Sequence, residues 1–403
     1  MRTSMRPAPP RRIQQLLDRR TEANARFFDA EHERIAGLCH RMAERFARGG
    51  RLVAFGRSPA DRSDVRHVAV ELVHPVFSGR RPLPAIGLSR EGGSLPRQVD
   101  LLARPDDVAI AFGAENGDPQ TLRAVEIARR RGCLTVAFGD AGAEWELAPP
   151  TDDPFVRQEL VETLYHVLSE LVHVFFEHQG LPAGQPRRRH GAGASSFLHP
   201  FLGQSPDRVV ADVAATVRTR AQETSELRQR TLEESAATLR QAARELRRRF
   251  ASGGKLLALG NGGSATDAMD LVADLRSPPR DGEPLPAIDL TEDAAILTAL
   301  ADDVGSDVLF SRQVVAYGQQ EDTVIALSTS GNSRNVLAAL AESRRRGLVT
   351  VAFVGNGGGR IAEERLADYV IVTPSEHVSH IQEAQASCYH ILCELVREAQ
   401  GSD

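Results

Sequence analysis

The stretch LALGNGGSATDAMDLVADL, Leu257–Leu275, decides the fold. Its apolar start predicts a short strand, its glycines predict a tight turn, and the residues that follow predict a helix. Backbone N–H groups of such a turn, with the positive end of the helix dipole behind them, form a cradle for phosphate. Asp270 and Asp274 lie one helical turn apart beyond the cradle, where a stronger metal or acid/base pair would be expected.

The composition is typical of a globular protein in water. The 403 residues favour two domains, and 41% are apolar and 26% charged. A net charge of −5 gives no reason to expect nucleic acid as the main partner. No apolar run approaches the roughly 20 residues that a membrane-spanning helix needs. The basic N-terminus lacks the apolar region of a secretory signal, and the four cysteines lack metal-site spacing, so we expect a cytoplasmic protein.

An internal repeat organises the chain. ERFARGGRLVAFG, Glu44–Gly56, recurs as RRFASGGKLLALG, Arg248–Gly260. RRRGCLTVAFG, Arg129–Gly139, recurs as RRRGLVTVAFV, Arg344–Val354. The PLPAI segments and the last helices also match, in the same order, so the sequence predicts a tandem duplication.

The offset between the copies predicts the domain limits. It grows from 204 residues, at Gly56 and Gly260, to 224 residues, at Gln158 and Gln382, so the first copy lost about 20 residues. One loss follows PLPAI, and the other follows the strand near Val136. We predict domains over 1–178 and 205–403, joined by a linker over 179–204 that is rich in Gly, Pro, Ser and Arg. The linker is interpreted as a solvated tether, with binding of an acidic partner as the alternative.

Each copy alternates helical segments with short apolar strands. This pattern predicts an α/β fold in which each parallel sheet is covered by helices on both faces. Long helices over about Arg12–Arg48 and Pro206–Ala251 lead the two copies and are too long for one small sheet to cover. We therefore expect them to pack against one another and against a second subunit.

Two polar turns follow strands of the second copy. One is Gly260-Asn261-Gly262-Gly263-Ser264, and the other is Ser328-Thr329-Ser330-Gly331-Asn332-Ser333. In parallel sheets, ligands bind beyond the carboxyl ends of the strands. The two turns together predict a phosphate site.

STSGNS and GNGGS together resemble the sugar isomerase (SIS) domain, and specifically the phosphoheptose isomerases. The likeness covers the second copy almost end to end, and the first copy resembles the same family more distantly. The resemblance implies two tandem SIS domains of flavodoxin-like, doubly wound topology. It also implies an enzyme of carbohydrate metabolism that converts sedoheptulose 7-phosphate to D-glycero-D-manno-heptose 7-phosphate. The expected substrate-binding residues are Asn261, Gly262, Gly263, Ser264, Asp303, Ser328, Thr329, Ser330, Ser333 and Gln382.

The resemblance also implies zinc, held by a His and a Glu on the helix after the first turn and by a Gln and a His on the last helix. The second copy has Asp270 and Asp274 at the first two positions and keeps Gln382 and His390. The first copy has all four residue types, so zinc is expected on His67, Glu71, Gln158 and His166. His67 and Glu71 are four residues apart and share one helix face.

The first copy has lost the phosphate-binding turns. GNGGS is replaced by Gly56-Arg57-Ser58-Pro59-Ala60, and an acidic segment ending in Asp118 replaces STSGNS. We therefore hypothesise a composite site, with phosphate on the second copy and His67 and Glu71 delivered from the first. The resemblance implies Glu71 as the base and His166 or His390 as the acid.

Three points stay open at this stage. The two zinc ligands on the last helix are either Gln158 and His166 of the first copy or Gln382 and His390 of the second. As an alternative hypothesis, the second copy forms a complete site by itself, with Asp270 and Asp274 as its carboxylates. A non-catalytic SIS-domain sugar-phosphate sensor or protein-interaction regulator is the alternative function. The family's tetramer implies a homodimer of this fused chain, which would form a pseudo-tetramer.

Overall fold

The computed structural model describes residues 11–75, 80–89, 93–178, 206–280 and 282–398. The chain divides into two compact units. One, here called the N-terminal unit, is Ala23–Glu223, and the other, the C-terminal unit, is Met1–Glu22 with Thr224–Asp403. Within the described ranges, no helix is long and apolar enough to cross a membrane.

The first half of the chain forms a five-stranded parallel sheet with helices around it. Its strands pair in the order β2-β1-β3-β4-β5. The elements are α1 (Arg11–Ala47), β1 (Leu52–Phe55), α2 (Pro59–Val73), β2 (Ala85–Leu88), α3 (Leu95–Leu102), β3 (Val108–Ala111), α4 (Pro119–Arg130), β4 (Leu134–Ala137), β5 (Trp145–Glu146) and α5 (Pro154–His178).

The second half forms a sheet of the same topology. Its strands pair in parallel in the order β7-β6-β8-β9-β10. The elements are α6 (Pro206–Ala251), β6 (Leu256–Leu259), α7 (Gly263–Arg276), β7 (Ala287–Asp289), α8 (Ala294–Asp303), α9 (Leu309–Tyr317), β8 (Thr323–Ser328), α10 (Arg334–Arg345), β9 (Val349–Val354), α11 (Gly359–Glu363), β10 (Tyr369–Val372) and α12 (Val378–Arg397).

The shared order confirms the predicted fold class of two doubly wound parallel sheets. Every residue of β1, β3, β4, β6, β8 and β9 is buried, as expected of central strands that helices cover on both faces. The direction of winding reverses between β1 and β3 and between β6 and β8. At such a switch point the loops diverge and leave a crevice for a ligand.

One buried aspartate ties the start of each sheet together. Asp107 accepts hydrogen bonds from the backbone N–H of Arg51, at 2.9 Å, and of Arg104, at 3.0 Å. Asp322 accepts a hydrogen bond from the backbone N–H of Lys255, at 2.9 Å, and its other oxygen lies 2.6 Å from Lys255 Nζ. Both aspartates are 1% exposed. The same device in both sheets is what a tandem duplication predicts.

The compact units do not coincide with the predicted halves 1–178 and 205–403. Their boundary falls inside α1 and α6, because the first turns of each long helix pack away from the sheet that the helix leads. In the C-terminal unit, Arg20 Nη2 lies 3.4 Å from Glu394 Oε1. In the N-terminal unit, Arg220 Nε lies 3.5 Å from Glu170 Oε2. The predicted linker 179–204 lies outside the described residues, so those domain limits stay a prediction.

The two predicted losses lie where the first half is shorter. Strand β2 is followed after six residues by α3, whereas β7 is followed by α8 before α9 begins. Strand β4 leads directly to β5, whereas α11 lies between β9 and β10. The additional segments of the second half therefore surround the carboxyl edge of its sheet.

Replacing Asp322 by alanine is expected to lower the free energy of unfolding of the C-terminal unit by about 2–4 kcal/mol, because buried N–H groups lose their acceptor and Lys255 loses its ion partner. Urea denaturation followed by circular dichroism measures this. Glu321→Ala, at the exposed neighbouring position, is the control and is expected to change stability by less than about 0.5 kcal/mol. Equal effects of the two substitutions would contradict the role assigned to Asp322.

Candidate active site

In the turn between β6 and α7, two segments of the backbone lie close together. A Cβ atom on Gly260 would lie 2.2 Å from the carbonyl oxygen of Ser264, so this position requires glycine. Gly262, at φ 58°, is the N-cap of α7. Since Gly262 has no side chain, it cannot accept a hydrogen bond from the first N–H groups of the helix. This end of α7 is therefore suited to an external anion.

The turn between β8 and α10 is rich in hydroxyl groups. Ser328 is buried, and its Oγ accepts the backbone N–H of Gly331 at 3.1 Å. Ser330 Oγ accepts the backbone N–H of Asn332 at 3.2 Å. Ser333 is the N-cap of α10, and within the described residues its hydroxyl caps no N–H group of that helix. Thr329, Ser330 and Ser333 are all partly exposed.

A reciprocal pair of amides ties the two turns together. Asn261 Nδ2 donates to Asn335 Oδ1, and Asn335 Nδ2 donates to Asn261 Oδ1, each at 2.9 Å. Asn335 Oδ1 also accepts the backbone N–H of Val336 at 2.9 Å. Because β6 and β8 are neighbouring strands, this pair fixes both turns at the switch point. Sequence reasoning missed Asn335, although its place in the first turn of α10 is a signal for a polar contact there.

A third glycine-rich turn, between β9 and α11, packs against the turn between β8 and α10. A Cβ atom on Gly331, which has φ +64°, would lie 2.2 Å from the carbonyl oxygen of Gly358. Asn332 Oδ1 accepts the backbone N–H of Arg360 at 3.0 Å. The serine-rich turn therefore lies on the backbone between β9 and α11.

The remaining predicted substrate residues lie in different surroundings. Gly263 and Ser264 open α7, and Ser264 is buried. Asp303 is exposed at the last residue of α8, which is a helix where the sequence suggested a loop. Gln382 is buried in the first turns of α12.

The equivalent turns of the N-terminal unit are closed by carboxylates of the chain itself. Ser58 and Asp61 form a capping box at the start of α2. Asp61 Oδ2 also accepts the backbone N–H of Arg57, at 3.0 Å, and of Ser58, at 2.8 Å. A Cβ atom on Gly113 would lie 2.3 Å from the same oxygen. Asp61 thus takes the position that an anion would occupy in this turn.

Asp118 closes the second of these turns. It is the N-cap of α4 and accepts the backbone N–H of Thr121 at 2.8 Å, and Arg57 Nη1 donates to it as well. Burial acts to raise the pKa of Asp118, but the hydrogen bonds from Thr121 and Arg57 outweigh it, and the pKa is lowered. Both turns of the N-terminal unit are therefore supplied with negative charge from within the protein.

Helices α2 and α5 bring a buried cluster together in the N-terminal unit. His67 Nε2 and His166 Nε2 lie 3.2 Å apart. Donor atoms of His67, Glu162 and His166 all lie within 4.8 Å of one another. Glu71 Oε1 lies 3.9 Å from His67 Nε2. The structure thus joins three of the expected residues and Glu162, whereas Gln158 is partly exposed one helical turn before Glu162.

Helices α7 and α12 form the corresponding cluster in the C-terminal unit. His390 Nε2 lies 3.2 Å from Asp270 Oδ2 and 3.4 Å from Asp274 Oδ2. The hydroxyl of Tyr389 donates to Asp270 Oδ2 at 2.8 Å. Burial and the charge of Asp270 raise the pKa of Asp274 to about 6, against the opposing effect of His390. This cluster offers two carboxylates and one imidazole, where the other offers two imidazoles and a carboxylate.

Comparisons with known proteins identify the family. The SIS domain family matches residues 221–355. A phosphoheptose isomerase from Solidesulfovibrio magneticus is 43% identical over 176 residues, which are 43% of this chain and 85% of that protein.

Two solved structures extend over nearly the whole chain. The C-terminal domain of a glucosamine-fructose-6-phosphate aminotransferase from Francisella tularensis matches with a TM-score of 0.62 at 8% identity, over 95% of this chain and 94% of that one. A tagatose-6-phosphate ketose/aldose isomerase from Escherichia coli matches with a TM-score of 0.57 at 13% identity, over 97% and 94%. At such identities the two structures show a shared fold alone. With 43% identity over 85% of the phosphoheptose isomerase from Solidesulfovibrio magneticus, the chain belongs to the phosphoheptose isomerase family of SIS-domain sugar-phosphate isomerases.

Proposed function

We propose that this chain converts sedoheptulose 7-phosphate to D-glycero-D-manno-heptose 7-phosphate. The observation that carries the proposal is the pair of helix N-termini at the switch point of the C-terminal unit. In the described residues, neither N-cap residue, Gly262 of α7 or Ser333 of α10, makes a side-chain cap hydrogen bond, whereas Asp61 and Asp118 close the same turns of the N-terminal unit.

Phosphate suits this pair of turns. Two helix dipoles end there with their positive poles, and serine and threonine hydroxyls add donors from the second turn. The proposed phosphate ligands are Ser264, Ser328, Thr329, Ser330 and Ser333, with Asn261, Gly262, Gly263, Asp303 and Gln382 around the sugar. Phosphate on C7 is remote from the reacting carbons C1 and C2, so it fixes the position of the sugar and takes no part in the reaction.

The reaction moves a proton between two neighbouring carbons by way of an enediol. It needs a base for the C–H proton and an acid for the carbonyl oxygen. We propose Glu71 as the base and His166 or His390 as the acid. All three are buried.

The N-terminal cluster fits zinc. Two nitrogens bound to one tetrahedral zinc ion lie about 3.3 Å apart, and the Nε2 atoms of His67 and His166 lie 3.2 Å apart. His67, Glu71, Gln158 and His166 are the proposed ligands. Bound there, zinc would supply Lewis acidity for an oxygen of the sugar.

Two hypotheses compete over the reacting groups. In the composite hypothesis, His67 and Glu71 act together with the phosphate turns. In the other, Asp270, Asp274 and His390 act in the C-terminal unit, where they belong to the same compact unit as those turns. The composite site stays our proposal because the first half retains all four residue types of the family, and a homodimer is the proposed assembly.

Turnover of sedoheptulose 7-phosphate in deuterated water tests the function, since an enediol exchanges its carbon-bound proton with solvent. His67→Ala and Glu71→Gln are expected to lower kcat by at least about 100-fold. Asp270→Asn and Asp274→Asn are the matching substitutions in the C-terminal cluster. Loss of turnover in these two variants, with activity kept in His67→Ala and Glu71→Gln, would favour the hypothesis that the C-terminal unit acts alone.

A sugar-phosphate sensor would give a different result. Sedoheptulose 7-phosphate would then raise the thermal midpoint of unfolding without any turnover or deuterium incorporation. That outcome would contradict the isomerase and support the regulator.

Asn335→Ala is expected to raise KM for the sugar phosphate about tenfold with little change in kcat. The reciprocal amide pair with Asn261 is lost, so the two phosphate turns are no longer held together. Steady-state kinetics measures both constants. Glu342→Ala, two turns further along α10, is the control, and a matching rise of KM in that variant would mean that the effect is not specific to the amide pair.

We expect one sugar phosphate bound per chain. Asp61 and Asp118 occupy the turns of the N-terminal unit, and a phosphate there would meet their charge at close range. Isothermal titration of the metal-free Glu71→Gln variant with sedoheptulose 7-phosphate gives the stoichiometry without turnover. Two equivalent sites per chain would show that the carboxylates do not close the N-terminal turns.

A further inference from the structure

The cluster between α2 and α5 contains a carboxylate that the family pattern does not assign. Glu162 lies four residues before His166 and four after Gln158, so all three share one face of α5. Glu162 is 3% exposed, and a carboxylate oxygen of it lies within 4.8 Å of donor atoms of both His67 and His166. Gln158, on the same face, lies nearer to the helix start and is partly exposed.

The two imidazoles define where a cation would lie. Their Nε2 atoms face each other at 3.2 Å, and His67 and His166 are 2% and 1% exposed. Two nitrogens at this separation share either one proton or one metal ion. The ring of Tyr165 packs beside both imidazoles, at centroid distances of 5.2 and 5.1 Å, which limits their movement.

Charge also favours a dication. Glu162 and Glu71 are both buried, and burying an ionised carboxylate is costly unless a positive charge compensates it. As ligands, Glu71 and Glu162 would bring two negative charges to the two positive charges of one dication.

The second half of the chain provides an internal comparison. Ala386 stands at the position equivalent to Glu162, and Asp270 stands at that of His67. There, Tyr389 donates to Asp270, and His390 contacts both Asp270 and Asp274. Imidazole-rich surroundings suit zinc, so the cluster with two imidazoles is the better candidate for it.

We propose that Glu162 is a protein ligand of a zinc-like dication held by His67 and His166. The ligand set is then His67, His166, Glu71 and Glu162, with Glu162 in the place of Gln158. The inference rests on the proposed function only for the class of cation. It replaces the amide of Gln158 by the carboxylate of Glu162 as the ligand that α5 supplies.

The test measures zinc binding to the full chain after removal of metal, by competition with a chromophoric chelator. Glu162→Gln is expected to weaken zinc binding by more than about 100-fold, because loss of an outer partner of a ligand already costs 10–100-fold. Gln158→Ala, on the same helix face, separates the two ligand sets: with Glu162 as the ligand it is expected to weaken binding less than about tenfold, and with Gln158 as the ligand it would weaken binding more than Glu162→Gln does. Asp274→Asn, in the other cluster, is expected to leave binding unchanged.

Folding of the variant is checked separately from binding. The thermal midpoints of the metal-free proteins show whether Glu162→Gln folds, and Glu162→Asp keeps the charge with a shorter reach and is expected to bind with intermediate affinity. Absorption of the cobalt-substituted protein reports the ligand set directly, and its spectrum is expected to change in Glu162→Gln and stay unchanged in Gln158→Ala.

Three outcomes overturn the proposal: no zinc bound by the wild-type chain, unchanged binding in Glu162→Gln, or loss of binding in Asp274→Asn with Glu162→Gln unaffected. Turnover of the sugar phosphate is a separate measurement. A chain that isomerises the sugar while Glu162→Gln retains zinc keeps the proposed function and refutes this ligand. A chain that binds zinc through Glu162 but does not turn over the sugar phosphate keeps this ligand and refutes the proposed function.

Discussion

The first N–H groups of a helix need acceptors, and the two halves of this chain meet that need in opposite ways. In the N-terminal unit, Ser58 accepts the N–H of Asp61 in α2, and Asp118 accepts the N–H of Thr121 in α4, while Asp61 itself accepts the N–H groups of the turn before α2. In the C-terminal unit, the N-cap residues are Gly262 for α7 and Ser333 for α10, and in the described residues neither makes a side-chain cap hydrogen bond, although Asn335 accepts the N–H of Val336 in α10. One turn geometry therefore serves as a closed structural end in one unit and as a proposed phosphate site in the other.

The helices that follow these turns differ between the two units in their buried polar side chains. Each unit places side chains of the helix after its first turn against the last helix of the same half, which produces a buried polar cluster in each. The N-terminal cluster faces two imidazoles toward each other, and the C-terminal cluster is held by hydrogen bonds from Tyr389 and His390. Exchange of single residues at matched positions thus gives one cluster two imidazoles and a carboxylate and the other two carboxylates and an imidazole.

Much of the fold could be predicted because its signals are local. Apolar runs of four to six residues marked the buried strands, and helix α6 has the bounds Pro206–Ala251 that the sequence indicated. The phosphate turns were evident from glycine and serine between a strand and a helix. Asn335 and Glu162 were missed because their partners, Asn261 and His67, are 74 and 95 residues away in the chain. Periodicity places a residue on a helix face and does not say what lies opposite.

The sequence by itself determined two parallel-sheet halves, the family and the positions of the glycine- and serine-rich turns, since each depends on residues near one another in the chain. Tertiary structure alone decided which acceptors close the N-terminal turns, which carboxylate joins His67 and His166, and where the compact units divide. Those outcomes depend on the burial of charges by distant segments, as when Arg20 meets Glu394 across 374 residues. The cost of burying an unpaired charge selects such partners, and it acts only once the chain is folded.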